Sequence, residues 1–255
     1  MHQKLIKMTF KSLNPSKIEM LEALHRHGNG IDVNIYSSFK PIPAAIAAEH
    51  ARQYALNYSS KPWDIYKLDN MDVLAREKLE LISDLLGQKQ ALLISISKDT
   101  QPVGFGFITD MNLFVTALQK KADMLDDNCN QVTAYLKHIT REITGSDDMS
   151  KIAEIGYIAD VVVDEKYHNN GVGKKILRLS LDCFYEEGMK SAIEWTVNPA
   201  MSHITLAMGG KLILNVGQEG EALDSFRRDS GVLPFIAKPS SQSVVAEHYL
   251  FDLLR

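Results

Sequence analysis

Residues 161–177 read VVVDEKYHNNGVGKKIL. An apolar run ends at Asp164, two asparagines and the glycines Gly171 and Gly173 follow, and Lys174 and Lys175 then open a helical apolar pattern. The order is strand, tight glycine turn, helix N-terminus. The first turn of a helix leaves backbone N–H groups without intrahelical partners and carries partial positive charge, so phosphate groups bind there readily. The stretch therefore points to a phosphate-bearing ligand at the centre of an α/β fold.

Two nucleotide motifs fail on single residues. A P-loop needs Gly, four residues, then Gly-Lys and Ser or Thr. Here His168 stands at the first glycine place and Lys175 at the hydroxyl place. A dinucleotide fingerprint needs a third small residue three positions after the second glycine, where this chain has Ile176. A strand-to-helix turn with no ligand is the plain alternative.

Around this centre the pattern predicts a strand over 153–163 and a helix over 173–187, with Leu177, Leu181 and Phe184 on one face and Gly188 as its stop. SAIEWTV (191–197) alternates as a strand does. Asn198-Pro199 then starts a helix, since Asn caps well and Pro is tolerated at the first helical position. It ends at Gly209-Gly210, followed by a strand over 211–216, a polar loop over 217–243 and a last strand over 244–254. Upstream, ALLISIS (91–97) and PVGFGFITD (102–110) form a hairpin, and 111–145 returns to helical spacing. Before the hairpin the reading is a strand over 4–10, a helix from Asn14-Pro15 to Gly28, and helices over 43–58 and 71–86. The expected fold is α/β (α+β), a mixed sheet covered by helices, with a parallel βαβ unit in its middle. One domain is expected over 1–255: an N-terminal part (1–90) on the acceptor side, a core (91–216) with a helical insertion (111–150), and a loop with the last strand (217–255).

With 45% hydrophobic and 24% charged residues the 255-residue chain is an ordinary globular one. Its formal net charge is -4 and no basic block stands out, which argues against nucleic acid as the main partner. Cys129 and Cys183 match no zinc or redox spacing, and a reducing, cytoplasmic compartment is expected. No apolar run approaches the ~20 residues of a membrane span, and MHQKLIKMTF lacks the apolar core of a signal peptide. His25 and His27, two apart, do not share a helix face, and no metal is expected.

The turn resembles the pyrophosphate-binding motif of the GNAT superfamily of N-acetyltransferases: Arg or Gln, two residues, Gly, any residue, Gly or Ala, between a strand and a helix. His168-Asn169-Asn170-Gly171-Val172-Gly173 fills it, with His168 in place of Arg or Gln. Asn198, at the end of the next strand, matches a second family position; seven residues on, where the family commonly has a Tyr acting as general acid, this chain has Thr205. The resemblance implies a sheet whose fourth and fifth strands splay apart, with acetyl-CoA between them. The backbone of Val161, Val162 and Val163 would pair with the pantetheine arm, the Val161 amide would polarise the acetyl carbonyl, and His168, Asn169, Asn170, Gly171, Val172, Gly173 and Lys174 would cradle the pyrophosphate. Asn198 would touch the pantetheine from the other side. The implied activity is direct transfer of acetyl from the CoA thioester to an amine. A non-catalytic acyl-CoA-binding module, and transfer of a longer acyl chain or to a hydroxyl, are the alternatives.

An attacking amine must lose a proton, so a base is needed. Glu154, Tyr157 and Asp160 lie on the strand before the turn. Alternation puts Tyr157 and Val161 on one face and Asp160 on the other, and a bulge would reverse this. Asp160 is the first choice, against its reading as a satisfied sheet-face carboxylate. Glu154 reads as an exposed strand end. With Thr205 in the Tyr position, His203, another Tyr or water would supply the acid, or the thiolate needs none. Trp63 lines an acceptor pocket or packs; Cys183 and Trp195 read as packing and Arg227-Arg228 as solvated. The expected partners are a small-molecule or peptide amine acceptor and, at the level of assembly, a second copy in a homodimer, with no nucleic acid and no membrane.

Overall fold

A computed structural model describes residues 10, 12–26, 30–59, 71–87, 91–111, 141, 145, 155–196, 198–216 and 246–253. Among them seven strands form one sheet: β1 (Ile31–Tyr36), β2 (Ala91–Lys98), β3 (Gln101–Asp110), β4 (Ile155–Val163), β5 (Ser191–Thr196), β6 (Lys211–Val216) and β7 (Ala246–Asp252). Their order is β1-β2-β3-β4-β5-β7-β6. Neighbours are antiparallel except β4 and β5, which are parallel and joined by helix α4 (Val172–Glu187). This is the mixed α/β sheet with a central βαβ unit that the sequence predicts.

Helices cover both faces. On one lie α1 (Pro15–His25) and α4, with α5 (Pro199–Ala207) beside α4. Ile18 and Leu21 of α1 and Leu177, Cys183 and Phe184 of α4 pack there against Val33, Ile35, Leu92, Ile94 and Ile158 of the sheet. On the other lie α2 (Ala44–Ser59) and α3 (Met71–Gly87), where Ile82, Leu85 and Leu86 meet Tyr36, Leu93, Phe105 and Phe107. Each such side chain, fully buried, contributes roughly 1.5–3 kcal/mol.

β1 has no counterpart in the sequence reading, which runs from one helix to the next there. IDVNIY has the period-two pattern, since Val33 and Ile35 are fully buried. Asp32 and Asn34 between them dilute the apolar signal, and the strand owes its stability to β2, with which it pairs from Ile31↔Lys98 to Tyr36↔Leu93. The expected strand over 4–10 lies outside the described residues apart from its last residue, Phe10, which stacks on Phe184. The insertion over 111–150, apart from Met111, Arg141 and Gly145, and the loop over 217–243 also lie outside them, as do Trp63, Cys129, Glu154, Arg227 and Arg228.

Two local features set the positions of β4 and α4. First, the β3–β4 register slips: Phe107 is opposite Asp160 while Ile108 is opposite Ile158, so Ala159 is one residue too many for its partner strand. This bulge moves Asp160 to the α2/α3 face, which Ala159 and Phe107 also share. The same shift puts Val161 and Val163 on the α4 face, where they meet Val172 and Ile176. Second, α4 lies close on the sheet over glycines. A Cβ on Gly156 would stand 2.6 Å from Cγ and Cδ1 of Phe184, which is fully buried and has no room to give. Gly156→Ala is therefore expected to destabilise the protein by about 1–3 kcal/mol through overpacking. The check is a denaturant titration, in which the midpoint falls while the slope stays constant.

Candidate active site

β4 and β5 pair only from Ile155↔Ser191 to Ile158↔Glu194. β4 continues to Val163 and β5 to Thr196, but the two part, and a cavity of about 570 Å3 opens between them. One wall is the backbone of residues 158–163, whose β3 edge is paired and whose other edge, beyond Ile158, has lost its partner strand. The opposite wall is Glu194, Thr196, Asn198 and the first turns of α5; Asn57 of α2 closes part of the rim.

The floor is the glycine turn. The Asp164 carboxylate accepts from the Lys166 amide at 3.0 Å and starts a single 3-10 turn over Glu165–Tyr167. Asn169 and Gly171 then adopt left-handed φ of 62° and 76°. These reverse the chain within a few residues, which is why Asn and Gly stand there. His168 donates from Nε2 to the Val163 carbonyl at 3.1 Å, tying the turn to the end of β4. The first helical bond of α4 runs from Lys175 N–H to Gly171 O. The amides of Val172, Gly173 and Lys174 therefore precede the helical ladder and are available to an anion.

Of the residues singled out by sequence, Asp160, Val161, Val162, Val163, His168, Asn169, Gly171, Val172, Gly173, Lys174 and Asn198 line this one cavity. Asn170 stands just off the wall, its amide donating to the Tyr167 carbonyl. Tyr157 is buried away from the cavity. His203 is exposed on α5 and does not reach it. Asn198 caps α5, its side-chain oxygen accepting from Ala200 N–H at 3.0 Å, and its own amide donates to Thr196 Oγ1.

Two carboxyls end on the cavity. Asp160 forms a buried ion pair with Lys78 of α3. Burial pushes its pKa up and the Lys78 charge pulls it back. The second carboxyl, Glu194, escaped the sequence reading. It is buried at the last paired position of the splayed strands, opposite Ile158, and accepts from Thr205 Oγ1 at 2.5 Å. Burial pushes this carboxyl up to about 7, against the opposing effect of the Thr205 hydrogen bond. The signal was present in SAIEWTV: one ionisable residue in an otherwise uncharged and largely apolar strand. Thr205, fully buried, is thereby the partner of a carboxyl rather than a group that itself meets a ligand.

Residues 56–208, more than half of the chain, match the model of the acetyltransferase (GNAT) family. The chain belongs to this family. It is an acetyltransferase, and GNAT enzymes use acetyl-CoA as co-substrate. The matched region runs from the end of α2 through α5, so it holds both splayed strands and the glycine turn. Comparison with curated proteins returned no match. Among solved structures, a mutant agmatine N-acetyltransferase is similar at 11% identity, covering 86% of this chain and 99% of that one with a TM-score of 0.57. A polyamine N-acetyltransferase of Drosophila melanogaster, which forms N-acetylagmatine, is similar at 10% identity over 87% and 100%, with a TM-score of 0.57. A Salmonella typhimurium acetyltransferase with its cofactor acetyl-CoA is similar at 12% identity over 89% and 96%, with a TM-score of 0.50. At these identities the GNAT likeness is one of fold. No helix among the described residues is long and apolar enough to cross a membrane.

The raised Glu194 carboxyl has a stability signature. An ordinary glutamate in the unfolded chain loses its proton near pH ~4.3, whereas Glu194 in the fold holds its proton to about 7. Between these values the folded state binds more protons, so stability is full below the lower one and falls as pH rises to the upper one. The loss is on the order of 3–4 kcal/mol. Glu194→Gln, which keeps an acceptor for Thr205, is expected to flatten this part of the Tm–pH curve. A variant with the wild-type slope would mean that Glu194 is not the titrating group.

Proposed function

We propose that this GNAT protein transfers acetyl directly from acetyl-CoA to an amine, without an acyl-enzyme intermediate. The observation that carries the reading is the parting of β4 and β5 over a row of helix-start amides. It combines an unpartnered strand edge with an anion cradle in one cavity. An amide-bearing pantetheine arm needs the first and a diphosphate needs the second. The edge at Val161, Val162 and Val163 would hold the arm, the cradle from His168 to Lys174 the diphosphate, and Asn198 the far side of the arm. Bound acetyl-CoA supplies an activated acetyl thioester. The Val161 amide would face the thioester carbonyl and stabilise the charge that develops on its oxygen.

The two carboxyls divide the proton traffic. Asp160 is the base that takes a proton from the attacking amine, on the face reached from α2 and α3. Tyr157 would support this face of β4 from behind. Glu194, protonated up to about pH 7, is suited to give a proton to the departing sulfur, with Thr205 holding it in place. This is the acid role for which the sequence offered only His203, another Tyr or water. The acceptor is a small-molecule or peptide amine. The fold's likeness to agmatine and polyamine acetyltransferases and the net charge of -4 favour a cationic one. A single domain, a cytoplasmic location and a homodimer go with this reading.

Calorimetry should show saturable binding of acetyl-CoA, and thiol release should depend on an added amine. A folded protein that binds no acetyl-CoA would overturn the proposal. Asp160→Asn is expected to lower kcat by about 100- to 10,000-fold while acetyl-CoA still binds. Equal losses of binding and turnover would instead make Asp160 a structural residue.

A further inference from the structure

The ion pair at the acceptor face has an uncommon member. Lys78 sits on α3 one turn before Ile82 and two before Leu85, in the stripe that packs on the sheet. It is only 6% exposed. Its ammonium lies over the ring of Tyr54 from α2, 4.4 Å from the centroid, and over that of Phe107 from β3 at 4.9 Å. It pairs with Asp160, which lines the cavity beside Val161. Two aromatic faces and a carboxylate are the elements that recognise an alkylammonium. Here the protein's own side chain fills them.

We propose that Lys78 is itself an acceptor, and that the protein acetylates its own Lys78 Nζ. This rests on the reading of the cavity as the site of an acetyl thioester. The amine already touches the group assigned as base. In the step, one ammonium proton passes to the Asp160 carboxylate, which leaves a neutral amine beside a neutral carboxylic acid. The nitrogen lone pair forms an N–C bond to the thioester carbonyl carbon, the C–S bond breaks, and its electron pair stays on sulfur. The proton shed by the acylated nitrogen goes to that sulfur, giving the free thiol. Acetyl-CoA is the only co-reactant, and no redox change occurs. Acetylation removes the positive charge of Lys78 and dissolves the ion pair; once Asp160 passes the proton it accepted to solvent, its carboxylate is free for an external amine.

The test is to incubate the full chain with acetyl-CoA, record its intact mass over time, and map acetylated peptides, with binding of acetyl-CoA followed by calorimetry in parallel. The expected result is one added acetyl group, on Lys78, formed faster than on the exposed Lys98 and Lys166. Nonspecific acetylation would favour those two lysines instead. Asp160→Asn should slow the Lys78 modification at least tenfold, and Lys78→Arg, which keeps the charge, should abolish the rapid mass gain. Binding of acetyl-CoA with Lys78 unmodified, or modified no faster than Lys98 and Lys166, overturns the inference and leaves the proposed function standing. Absence of acetyl-CoA binding overturns both. The peptide map is made on the wild-type protein, so the answer does not depend on a variant folding.

Discussion

The structure turns on the loss of one hydrogen-bond ladder. β4 and β5 are the only parallel neighbours in the described sheet, and their pairing lasts four residues. Parallel ladders are slightly weaker per residue than antiparallel ones, and each strand is held on its other edge by a longer antiparallel partner, β3 or β7. The gap can therefore open without the sheet coming apart. It leaves a row of backbone groups on β4 that must find partners elsewhere, because a buried, unpaired peptide group is costly. A ligand with its own amides is one such partner. Were the ladder to continue through Val163, there would be neither cavity nor anion cradle within reach of a strand edge.

The gap would be useless if α4 began elsewhere. Its N-terminus is brought to the gap from two sides. The glycines of β3 and β4 let α4 lie close on the sheet, with Ile176 and Val172 against Gly104 and Phe184 against Gly156. The left-handed Asn169 and Gly171, with His168 tied to the Val163 carbonyl, turn the chain into the helix start within a few residues. Packing and turn chemistry thus fix the same point independently, which is the consistency expected where geometry is tightly specified.

The parts legible in the sequence are those whose physics is local. The glycine turn, the cap at Asn198 and the hairpin itself are decided by residues a few positions apart, and the structure places them as read. The alternation of Ser95 and Ser97 with apolar residues suggests a half-buried strand, but helices cover both faces and both serines are buried. β1 was not legible, because Val33 and Ile35 make a strand only when β2 arrives from far along the chain. Glu194 and Lys78 were missed for a related reason. Each is an ionisable residue on an apolar face, and its meaning lies in a partner on another element, Thr205 or Asp160. The bulge at Ala159 belongs to this class too. Alternation alone leaves the face of Asp160 open, and the register against β3 decides it.

That bulge has a consequence for how a transfer could cross the sheet. In the proposed reading cofactor and acceptor elements lie on opposite faces, α4 and α5 on one, α2 and α3 on the other. A regular β4 would place Asp160 on the α4 face and Val161 on the α2/α3 face. With one extra residue at Ala159, the side chain of Asp160 joins Lys78, Tyr54 and Phe107, while Val161 and Val163 return to Val172 and Ile176. Adjacent residues then serve opposite faces of the sheet at the point where it is open. In the proposed reaction the acyl donor and the amine approach from opposite faces and need to meet nowhere else. In the same reading Glu194, held by Thr205 of α5 at the far lip of the gap, is the group left to serve the sulfur.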